Sequence, residues 1–62
     1  MIKALNIETG SIQELRTQAD ATFSIANQLH RIGRKKAEAS GVYKKLINGY
    51  KVKIGNKKYY QE

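Results

Sequence analysis

The 62-residue chain carries twelve Lys and Arg against five Asp and Glu, a formal net charge of +7, with one His and no Cys. This length admits one domain at most, residues 1–62, and so short a chain buries only about 60% of the surface its unfolded state exposes. Disulfides, thiolate zinc sites and cysteine nucleophiles are excluded, and His30 cannot assemble a metal site alone.

Residues 2–7, Ile-Lys-Ala-Leu-Asn-Ile, are mostly apolar and run into Glu8-Thr9-Gly10, a set suited to a tight reversal. Ile12 and Leu15 then anchor a second segment, so an N-terminal strand or hairpin is expected. Thr17 and Asp20 have the spacing of a helix-capping pair, and an acid in the first turn suits the helix dipole. A helical pattern follows, with Phe23, Ile25, Leu29 and Ile32 predicted on its buried side. The other side carries Asp20, Ser24, Asn27, Arg31, Arg34 and Lys35. Gly33 weakens or ends this helix; residues 35–40 either extend it or form a basic loop, with Gly41 as a stop.

The last third reads as β-structure. Residues 42–47 are followed by Asn48-Gly49, a strong hairpin signal, and Tyr50-Lys51-Val52-Lys53-Ile54 alternates apolar with lysine. Residues 57–60 form either a short further strand or, with the last two residues, a frayed tail at 57–62. The expected fold class is α+β: an N-terminal strand or hairpin, one central amphipathic helix and a C-terminal antiparallel hairpin.

Charge is concentrated in one half of this chain. Residues 1–30 hold two cations and three acids; residues 31–62 hold ten cations and two acids. Folding does not need such an imbalance, whereas a polyanion rewards it, because each Lys or Arg placed on a phosphate releases a counterion. Ser24, Asn27, Gln28 and Arg31, leading into Arg34-Lys35-Lys36, include residue types that pair with base edges in a major groove. Lys44, Lys45, Lys51 and Lys53, with Lys57 and Lys58, fit phosphate contacts, and lysine on strands also blunts exposed edges. Tyr50 is assigned to packing beside Val52 and Ile54. Tyr43 and Tyr59 are open between packing and base stacking.

No nucleophile, base or metal cluster emerges, so no enzyme activity, cofactor or metal is expected. Glu8 and Glu14 read as solvated charges and His30 as a boundary residue. Neither a membrane span nor a secretory signal is visible, which points to the cytoplasm.

These pieces together resemble the DNA-binding modules of phage and intron-encoded homing nucleases, the NUMOD or intron-encoded nuclease repeat class. The resemblance rests on the segments 2–15, Arg16-Thr17-Gln18, Ser24-Ile25-Ala26-Asn27-Gln28-Leu29, Gly33-Arg34-Lys35-Lys36 and Gly49-Tyr50-Lys51-Val52. It implies DNA binding by the helix that bears Ser24, Asn27, Gln28 and Arg31, with no nuclease activity in this chain. Members of that class separate two helices by a turn. No room for one exists between Gln18 and Ser24, so a complete helix-turn-helix is not expected.

The leading expectation is a non-catalytic DNA-binding protein, a phage or prophage regulator or a recombination accessory factor, with duplex DNA as partner. The alternatives are RNA or single-strand binding through the Lys/Tyr-rich hairpin, and a phage-encoded inhibitor or modulator of a host enzyme. No membrane partner is expected, and the chain should be a monomer or a weak homodimer.

Overall fold

Asn6 begins the fold's first turn. Its side-chain Oδ1 accepts from the amides of Glu8 at 3.0 Å and Thr9 at 3.2 Å, and the Gly10 amide donates to its carbonyl at 2.7 Å. That side-chain-supported reversal pairs β1 (Ile2–Asn6) antiparallel with β2 (Ile12–Leu15), with Ile2 opposite Leu15 and Leu5 opposite Ile12. In this computed structural model, which describes Met1–Glu62, the expected N-terminal hairpin is present.

Helix α1 (Gln18–Arg31) starts where the capping spacing puts it: the Thr17 hydroxyl accepts from the Asp20 amide at 3.0 Å. Its inward side is Ala21, Ile25, Gln28 and Leu29. Two predicted core residues are not there. Phe23 is 70% exposed because it lies about 200° round the helix from Ile25. Ile32, 45% exposed, is the residue after the last helical turn.

The largest departure is a second helix. Residues 42–47, expected as a strand, lie in α2 (Ala39–Ile47), which a 3-10 turn at Lys36–Glu38 leads into. Ala39, Val42 and Leu46 recur at helical spacing and are buried, so period rather than β-propensity governs here. Gly41 lies inside α2 and does not stop it.

Both helices end in the same way. After α1 the Gly33 amide donates to the His30 carbonyl at 3.1 Å and the Arg34 amide to the Leu29 carbonyl at 2.8 Å. After α2 the Gly49 amide donates to the Leu46 carbonyl and the Tyr50 amide to the Lys45 carbonyl, each at 3.0 Å. These are paired Schellman bonds, and both glycines take the left-handed φ the motif demands, 80° and 93°. Asn48-Gly49 is therefore a helix terminus rather than a hairpin turn. One dipeptide suits both, because each requires a positive φ.

The true C-terminal hairpin joins β3 (Val52–Ile54) to β4 (Lys57–Gln61) through Gly55 and Asn56. A side chain at Gly55 would crowd Gln28 Oε1 at 3.2 Å and Ile32 Cγ2 at 3.4 Å, so the turn packs directly on the end of α1. Residues 57–62 are no frayed tail: β4 pairs with β1 on one side and β3 on the other. The sheet order is β2-β1-β4-β3, antiparallel throughout.

The fold class is α+β, with two helices rather than one. The core comprises Ile2, Ala4, Leu15, Ala21, Ile25, Leu29, Ala39, Val42, Leu46, Ile54 and Tyr59. Oriented as the neighbouring carbonyls require, the Gln61 amide donates to the carbonyls of Leu46 at 3.0 Å and Ile47 at 3.2 Å, which ties β4 to the end of α2. No helix is long and apolar enough to cross a membrane.

Candidate nucleic-acid interface

Twelve cations face five carboxylates, and the ion pairs decide which cations stay free. Lys3 binds Glu62 at 2.9 Å, Arg16 binds Glu14 at 3.2 Å, and Arg34 binds Glu38 four residues on. Hydrogen bonding to Glu62 raises the Lys3 pKa, and bonding to Glu38 raises that of Arg34. The Arg34 bond also holds the Glu38 carboxyl below its ordinary value. Nine cations therefore have no carboxylate partner: Arg31, Lys35, Lys36, Lys44, Lys45, Lys51, Lys53, Lys57 and Lys58.

The predicted recognition face of α1 does not hold together. Gln28 is only 6% exposed and sits against Gly55, out of reach of any groove. Ser24 is half-buried and engaged by Tyr59: their hydroxyl oxygens lie 3.0 Å apart, and the Tyr59 hydroxyl donates to the Ser24 carbonyl at 3.2 Å. Burial raises the Tyr59 pKa, which the bond to Ser24 partly offsets. Tyr59 is thus a core residue and no stacking platform, while Tyr50, assigned to packing, is 64% exposed. Of the α1 set, Asn27 and Arg31 remain on the surface.

Arg34, Lys35 and Lys36 are brought to the junction between the helices. Residues 32–35 make a four-residue turn, and Lys36 opens the 3-10 turn before α2. Lys44 and Lys45, expected on a strand, are exposed on α2. Ser40 and Lys44 share the outward side of α2 at a four-residue interval, and Gly41 is exposed beside Ser40. The one carboxylate next to this helix, Glu38, is taken by Arg34. The outward side of α2 therefore presents lysine, hydroxyl and bare backbone with no free acid. Lys51 lies just before β3 and Lys53 within it, apart from this set.

Sequence reasoning missed Ser40 and Gly41 because it missed α2. The signal was present in the interval Ala39, Val42, Tyr43, Leu46, preceded by the helix formers Lys36, Ala37 and Glu38. A Cβ at Gly41 would meet nothing within 4 Å, so the fold itself does not require glycine there. No three His, Cys, Asp or Glu side chains group as metal ligands.

Comparison with family models, with curated proteins and with solved structures returned no match.

Proposed function

We propose that this chain is a non-catalytic duplex-DNA-binding module in which α1, the connection at 32–38 and α2 act in the manner of a helix-turn-helix, the turn at 32–35 being followed by the 3-10 segment Lys36–Glu38. Helix-turn-helix units join two helices by a three- or four-residue turn, often with a glycine, and lay the second helix in the major groove. Here the turn holds Gly33, and the 3-10 segment extends the connection. The observation that carries the reading is the outward side of α2: Ser40, Gly41, Lys44 and Lys45 are exposed, and no carboxylate among them is free. Lys36, one turn earlier, and Lys35 in the turn add phosphate contacts. Lysines and a serine on one helix reach guanine edges and phosphates, and a glycine lets backbone come close. The resemblance to nuclease-associated modules, which also place two helices about a turn, motivates a two-helix reading, although it puts recognition on the helix bearing Ser24 and Asn27 rather than on α2.

Roles divide between the helices. Helix α2 reads the groove, while Asn27 and Arg31 on α1 lie outside it. The test compares variants on one duplex. Lys44→Ala should weaken binding more than Asn27→Ala does. Equal losses, or a loss confined to Asn27→Ala, would return the recognition face to α1.

A further inference from the structure

The helices cover one face of the sheet and leave the other bare. On the bare face the strand register lines up Ile12, Leu5, Lys58 and Lys53 across β2, β1, β4 and β3. The neighbouring row is Glu14, Lys3 and Tyr60. Lys53 and Lys58 are thus directly opposite each other, both exposed and neither paired with an acid. Like charges in that position repel. The two acids near this face are already engaged, Glu14 by Arg16 and Glu62 by Lys3. Lys51, two residues before Lys53, is also exposed and unpaired.

Beside this uncompensated charge lies apolar surface. Ile12 is 56% exposed, and Leu5 and Tyr60 are half-buried. Along one row, apolar Ile12 and Leu5 run into cationic Lys58 and Lys53, and the Tyr60 ring stands in the row beside them. We infer that the bare face of the sheet is a second binding surface, for single-stranded nucleic acid: phosphates on Lys51, Lys53 and Lys58, unstacked bases against Tyr60, Leu5 and Ile12. Ring faces and a basic track are the two elements that single-strand binders combine. A duplex hides its base faces and cannot use the apolar end of that row. An acidic peptide would account for the lysines on this face, but it supplies no planar bases to stack on the Tyr60 ring beside them.

The two surfaces share no residue: the helices pack with one face of the sheet in a common core, and the Lys53–Lys58 row lies on the other face. A duplex held by α2 leaves the sheet free.

The test is anisotropy of a fluorescein-labelled oligothymidylate at low salt, run in parallel with a labelled duplex. The double variant Lys53→Ala/Lys58→Ala should weaken oligothymidylate binding about tenfold and make its salt slope shallower by about 1.4. Its duplex affinity should stay within about twofold, since neither lysine faces the groove. Lys44→Ala should show the reverse pattern. Because removing a like-charge pair relieves repulsion, the double variant should melt no lower than the parent. Oligothymidylate affinity unchanged in the double variant would overturn the inference. So would equal losses from Lys44→Ala on both probes, which mark one shared site, or polyglutamate displacing oligothymidylate at equal concentration. Oligothymidylate binding without duplex binding would uphold this surface and refute the role given to α2.

Discussion

The hydroxyl oxygens of Tyr59 and Ser24 lie 3.0 Å apart, joining the central strand β4 to the middle of α1. Tyr59 is fully buried, and its hydroxyl also donates to the Ser24 carbonyl. A residue with the chemistry of a base reader and one with the chemistry of a stacking platform are thus spent on each other.

Tyr59→Phe keeps the ring and removes the bond. It should cost about 0.5–1.5 kcal/mol at neutral pH, measured by urea unfolding. Tyr59 also makes stability depend on pH. Burial raises its pKa above the ordinary value of 10.0. The unfolded chain therefore loses this proton first as pH rises. The contribution is complete below the unfolded pKa and is lost between the unfolded and folded values. The parent should lose stability above about pH 10 more steeply than Tyr59→Phe does.

Leu29 and Leu46 are fully buried, one on each helix, in a core without disulfide or metal. Either one changed to Ala should cost about 2–5 kcal/mol. A domain this small has only about 3–9 kcal/mol in total. Thermal melts by circular dichroism should show both variants largely unfolded at 37 °C. Phe23→Ala, on the exposed side of α1, should melt within a few degrees of the parent.

Much of this architecture was legible from residues alone, and the reasons for the rest are local. The turn after β1, the Thr17 cap and the inward Ile25 and Leu29 follow from short-range rules that the fold obeys. Helix α2 was hidden because Val42 and Tyr43 favour strands and Asn48-Gly49 suits a hairpin as well as a helix terminus. Only the spacing of Ala39, Val42 and Leu46 separates the two. That error moved Lys44 and Lys45 onto the wrong kind of element. Gln28 was lost as a site residue for a tertiary reason: the bare backbone of Gly55 packs on it, which no pattern within α1 reveals. The Lys53–Lys58 opposition depends on strand register, and so became visible only with the sheet.

Gly41 gives a test in which stability and binding move in opposite directions. An interior helical glycine costs about 0.5–1 kcal/mol relative to Ala, and a Cβ there would meet nothing within 4 Å. Gly41→Ala should therefore raise the melting temperature. If a duplex backbone approaches α2 at this point, the same change should weaken duplex affinity. A variant that is more stable and binds equally well would show that nothing comes close to Gly41.

The central claim is that duplex DNA binds through the lysines of α2. Its most direct measurement is the salt dependence of duplex affinity for the parent and for Lys44→Ala/Lys45→Ala. If about five phosphates are neutralised, log affinity should fall against log salt with a slope near −4 to −5. Loss of two contacts should make the slope shallower by about 1.8. No duplex binding at low salt, or the same slope in parent and double variant, would contradict it.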